Sequence, residues 1–169
     1  MSLWLLLTPL LPLTLASLMF VAAGHPRAQA WAIRLAPLTL LPALVAGLLP
    51  AGTTLELDAV LLGMRLGLDE TGRVFLLFSA TLWLLGTLYA QQWLAGDPQR
   101  ARCFGFMLAA AAGNLGLCVA QDVLSFYWLF ALMTFGAWPL VLHRATPAAR
   151  RAGTVYVAIA VLGETALLL

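Results

Sequence analysis

The chain has 169 residues, 63% hydrophobic and 9% charged, with a mean hydropathy of +0.96. Too few polar residues remain to cover so much apolar surface, which excludes a water-soluble globular domain. The net charge of +2 is small and comes from arginines in loops and at helix edges, with no lysine at all, which excludes a nucleic-acid-binding module.

A helix rises about 1.5 Å per residue and a bilayer core is about 30 Å thick, so about 20 apolar residues suffice to cross it. Six stretches approach that length: residues 3–23, 31–49, 74–94, 103–120, 123–142 and 153–169. They predict an all-α, polytopic bundle of about six transmembrane helices over 1–169, in one domain. The first stretch reads as a retained helix rather than a cleaved leader, because no basic residue precedes Arg27. In the second, Pro37 and Pro42 each remove a backbone hydrogen bond. The long second loop alternates Leu55 and Leu57 with Glu56 and Asp58, and has Gly63 and Gly67 as turn points. That pattern predicts a short extended hairpin over 53–68.

The fourth stretch is rich in small residues, from Ala109 to Gly113 and on to Gly116 and Ala120, which suits close approach of neighbouring helices. The fifth is bulky, with Phe126, Tyr127, Trp128, Phe130, Phe135 and Trp138, and Pro139 near its end. Trp31, Trp83 and Trp93 are expected in an interfacial aromatic belt. Cys103 and Cys118 share one helix about 22 Å apart, beyond disulfide reach. His25 and His143 read as surface loop residues. No metal-ligand spacing and no phosphate-binding glycine loop occurs, so neither a metal nor a cofactor is expected. The sixth stretch runs to Leu169 without a polar tail, and the sequence reads as the N-terminal part of a longer subunit.

Loops one, three and five, with their helix edges, hold Arg27, Arg34, Arg100, Arg102, Arg144, Arg150 and Arg151, whereas loops two and four hold only Arg65 and Arg73. Glu56, Asp58, Asp69, Glu70 and Asp122 oppose that bias, and only Asp97 falls with the larger arginine group. The positive-inside rule then places the N-terminus outside and loops 24–30, 95–102 and 143–152 in the cytoplasm. The arginine-only, alanine- and leucine-rich composition suggests a bacterial inner membrane. The expected surroundings are the lipid bilayer and other integral membrane subunits.

Residues 113–116, Gly-Asn-Leu-Gly, lead to Gln121-Asp122 and then to 123–134, Val-Leu-Ser-Phe-Tyr-Trp-Leu-Phe-Ala-Leu-Met-Thr. This run resembles the proton-conducting, antiporter-like membrane subunits shared by respiratory complex I, Mrp-type cation/proton antiporters and membrane-bound group 4 hydrogenases. Upstream, 66–72 is similar to the segment before that family's third helix. Downstream, 148–156 is similar to the start of its sixth. The resemblance covers about residues 60–169. It implies a subunit that moves protons, or exchanges cations for protons, in a multi-subunit assembly. Two departures stand out. The family's fifth helix carries a glutamate at the position of Ala131, and its later broken helix supplies a lysine that this chain lacks.

Glu164 is the one acidic residue well inside an expected span. An ionisable group at that depth is expensive unless neutral, paired or hydrated, which makes it a functional candidate by default. Counting from the helix ends puts Glu164 and Ala131 both about 12 Å from the outer face. Glu164 is therefore expected to fill, from the neighbouring helix, the place of the family's glutamate. The alternative is a structural role, with Glu164 bonded to Asn114 or Thr134 or reaching the surface. Asn114 is the second candidate for proton transfer, and its alternative is an interhelical hydrogen bond. A non-conducting structural or assembly subunit is the alternative function. Nothing in the spans suggests an intramembrane enzyme.

Overall fold

A computed structural model describes residues 2–50, 52–57 and 63–168. It is mostly helical: α1 Ser2–Val21, α2 Pro26–Leu35, α3 Leu41–Leu48, α4 Glu70–Trp93, α5 Arg100–Leu117, α6 Val123–Val141 and α7 Pro147–Leu168. Strands β1 Thr53–Leu57 and β2 Met64–Leu68 form the expected antiparallel hairpin. The alternation that includes Asp58 is borne out as far as Leu57, and Asp58 itself lies outside the described residues.

Among the described residues, four segments are long and apolar enough to cross a membrane by length and composition: Ser2–Val21, Pro26–Leu48, Glu70–Trp93 and Val123–Val141. Helices α5 and α7 occupy the other two expected stretches. Both begin among arginines, and α7 also carries Glu164. The effect of the prolines in the second segment is local. Pro37 and Pro42 sit in the first turns of a 3-10 segment, Ala36–Leu40, and of α3. There a missing N–H costs least, so the span continues as two helices joined by a tight turn.

Helix α5 is the centre of the bundle, between α1 and α6. Its small residues permit this placement. A side chain added at Gly113 would fall 2.4 Å from the Met133 backbone nitrogen, and one at Gly136 would fall 2.8 Å from that of Ala110. Gly105 is closed in the same way by the Phe20 ring of α1. The backbones of α5 and α6 thus touch almost directly, as small-residue faces allow.

The hairpin does not stand free. The Gly67 amide donates to the Val119 carbonyl at 2.7 Å, and the Gln121 amide donates to the Arg65 carbonyl at 3.0 Å. The loop between α5 and α6 therefore runs beside β2 as a further extended segment, with Leu66 fully buried beneath it. Asp122 completes the join. It caps α6 by accepting from the Ser125 amide at 2.8 Å and also accepts from the Arg65 amide at 2.9 Å.

Two sequence expectations change here. Trp31 and Trp93 are 62% and 60% exposed, as belt residues would be. Trp83 instead lies mid-helix and is bonded inward, because an indole N–H at that depth needs a protein acceptor. His143 is not a free surface residue, since it sits 2.8 Å from the Asp97 carboxylate and joins two loops at the end opposite the hairpin.

Candidate functional site

The interface between α6 and α7 carries the candidate acid. Two hydrogen bonds set its register. The Tyr156 hydroxyl donates to the Thr134 carbonyl at 3.3 Å, and the Trp138 indole donates to the Gly153 carbonyl at 3.2 Å. On α7 the covered positions are Ala149, Gly153, Tyr156, Val157, Ala160 and Glu164, a helical stripe with the remainder of the described helix exposed. Ala131 lies three residues before Thr134 and seven before Trp138, on the stripe of α6 that faces α7.

Glu164 is buried at 6% exposure, and its Oε1 has no hydrogen-bond partner among the described residues. A carboxyl oxygen shut away from water with nothing to bond is costly in either protonation state. The arrangement thus calls for a partner that the described residues do not supply. Extending the antiparallel register from the Tyr156–Thr134 bond places Glu164 opposite residue 126 and Ala131 opposite residue 159. Glu164 thus stands about 7 Å nearer the hairpin end than Ala131. The equal depth expected from sequence is off by about one and a half turns, because the two helices start at different levels. Helical side chains lean back toward the N-terminus, which returns part of that distance to the carboxyl group.

Asn114 is not brought to Glu164. Its Oδ1 accepts from the Trp83 indole at 2.9 Å, and its Nδ2 lies 3.4 Å from the Met133 sulfur. These contacts link α4, α5 and α6 and use both ends of the amide. The Thr134 carbonyl is taken by Tyr156. No hydrogen bond from Asn114 or Thr134 reaches the Glu164 Oε1.

Charge segregates between the two ends of the bundle. The hairpin end carries Glu56, Asp69, Glu70 and Asp122 with Arg65 and Arg73. The opposite end gathers Arg100, Arg102, Arg144, Arg150 and Arg151 around Asp97. The hydrogen bond with His143 is the main cause holding the Asp97 carboxyl below its usual range, and the Gln99 amide adds to it. For Asp122, burial favours the neutral form, but hydrogen bonds from Ser125 and Arg65 outweigh it and hold that carboxyl low as well. No cluster of three or more potential metal ligands occurs among the described residues, and Cys103 and Cys118 are free thiols. The Asp97–His143 pair could not be read from sequence, since the partners are 46 positions apart and no local pattern links them.

No family model and no curated protein matches this sequence. Among solved structures, the chain resembles one from the membrane-bound sulfane sulfur reductase, an archaeal respiratory membrane complex. The TM-score is 0.75 at 18% identity, over 98% of this chain and 35% of that one. The likeness is one of fold, and this chain spans about a third of the length of the chain it matches.

Proposed function

We propose that this chain is the N-terminal part of a proton-translocating, antiporter-like membrane subunit, and that Glu164 exchanges the proton. The observation that carries the reading is the buried Glu164 oxygen without a partner, on the one covered face of α7. An acid at membrane depth with an open hydrogen-bond position suits a relay, in which water or a neighbouring side chain makes the missing bond in turn. Ala131 faces the same interface about 7 Å further from the hairpin end, so α7 supplies an acid to the interface where the resembling family supplies one from the fifth helix. The fold likeness to a chain of a respiratory membrane complex supports a setting among other integral membrane subunits. In this reading all six stretches cross a bacterial inner membrane. The N-terminus is outside, and the arginine-rich end faces the cytoplasm. The proton machinery is shared with partners or with further helices, and any redox centre belongs to partner subunits.

Glu164→Gln in the full-length subunit, assembled in its complex, tests this. Proton flux into membrane vesicles should be lost while assembly is retained. Unchanged flux would sink the proposal.

A second reading is a non-conducting structural or assembly subunit. Ala131 favours it, because a methyl group stands where the family carries its acid. Under that reading Glu164→Gln leaves flux unchanged and lowers only the yield of assembled complex.

A further inference from the structure

A second polar feature lies between α4 and α5. Helix α4 approaches the end of α5 closely at Gly72, where an added side chain would fall 2.6 Å from the Cys118 carbonyl oxygen. Further along, α4 leans onto α3, where a side chain added at Gly47 would fall 2.6 Å from Leu77. The space between α4 and α5 is an open cleft of about 390 Å³, with Phe75 and Phe126 exposed along its apolar side. Asp69, Thr71 and Gln121 line it toward the hairpin end, with Ser79, Cys118 and Asn114 deeper in. Beyond the bond from Trp83 to Asn114 a further cleft continues, but Leu82, Trp83 and Gly86 account for most of its wall. The polar lining therefore stops at about the level of Asn114.

We propose that this cleft is a water-filled vestibule that admits small hydrated cations from the hairpin end as far as Asn114. Ordered water needs two to four polar partners, and Asp69, Thr71, Gln121 and Ser79 supply them along the cleft. An apolar lipid chain would leave the Gln121 amide and the second oxygen of the Asp69 carboxylate without polar partners in its place. Asp69 is the only charged residue in the lining among the described residues, so the mouth favours cations over anions. Its carboxylate also accepts from the Gly72 amide at 2.6 Å, which fixes it at the start of α4. The vestibule involves none of the groups assigned to proton exchange at Glu164, and its test does not depend on flux.

Cys118 is a built-in reporter. Cys103 lines a different cavity with His143 and Arg144 at the opposite end, so Cys103→Ser leaves one thiol in the vestibule. The probes are cationic and anionic membrane-impermeant methanethiosulfonates, applied from each side of membranes that hold the assembled complex. Each rate is normalised to that of a free thiol in solution. Cys118 should react from the hairpin side alone, and faster with the cation. Asp69→Asn, which keeps the helix cap, should remove the charge preference. Ser79→Leu and Ser79→Phe, which narrow the cleft, should slow the reaction in the order of their size. Labelling by a membrane-permeant maleimide but by neither charged reagent would overturn the vestibule. Labelling indifferent to both Ser79 substitutions would also overturn it, since the thiol would then be reached around the cleft. Equal normalised rates for both charges in the Cys103→Ser protein would overturn the cation preference.

Discussion

The Trp83 indole donates to the Asn114 side-chain carbonyl at 2.9 Å and so bridges α4 to α5. The amide's other end rests against Met133 of α6. Asn114 is a three-helix tie, and its loss should loosen α4 first. Interhelical hydrogen bonds in membranes average about 0.6 kcal/mol, because the separated helices also find partners. A double-mutant cycle with Trp83→Phe and Asn114→Leu, read from unfolding in mixed micelles, should give a coupling of about that size. A coupling near zero would mean that the bond does not hold α4.

Gly113 should tolerate no side chain. An alanine there places a carbon 2.4 Å from the Met133 nitrogen, and backbone cannot swing aside as a side chain can. Gly113→Ala should destabilise by about 1–3 kcal/mol, the range for overpacked sites. Gly86 is the matched control, because an added carbon there meets nothing within 4 Å. Gly86→Ala should be neutral or slightly stabilising in the same unfolding assay.

Asp122 serves two elements at once, capping α6 and holding the Arg65 amide of β2. Asp122→Ala should lower stability by about 1–2 kcal/mol through the cap. It should also raise hydrogen exchange at the Arg65 amide. Exchange unchanged at Arg65 would show that the join between hairpin and loop holds without this side chain.

Acid should weaken the loop end opposite the hairpin. Folding holds the Asp97 carboxyl below its ordinary value of 3.8, chiefly through His143. Its stabilising effect is therefore complete above that value and is lost as the pH falls through the lower, folded value. Proteolysis of the loop after α4 should rise at low pH in the native protein. His143→Gln should abolish most of that dependence. A pH profile identical in both proteins would remove this pair from the account.

Much of the architecture was legible because membrane helices announce themselves by length. The positions of α1, α4 and α6 follow from apolar runs. The hairpin follows from the alternation at Leu55–Leu57 and the glycines beyond it. What stayed hidden depends on partners distant in sequence. Nothing local to residues 119–122 says that they will run beside β2. Nothing about Trp83 separates an interfacial tryptophan from one bonded inward, since both sit in apolar helices. Glu164 was conspicuous as an acid in a span. Its level against Ala131 was not, because counting from helix ends assumes flush helices, and the Tyr156–Thr134 bond shows that α6 and α7 are offset.

The join between β2 and residues 119–122 also orders the steps of making the protein. The hairpin is synthesised before α4 and α5, yet the edge it pairs with emerges only after both. Until then the Gly67 and Arg65 backbone groups at that edge have no lasting partner, and Leu66 lacks its cover. Two further helices must therefore be inserted before the hairpin can settle. A halt in translation between α4 and α6 would leave a sticky strand edge waiting beside the membrane, which is the moment when this chain most needs a chaperone or a neighbouring subunit.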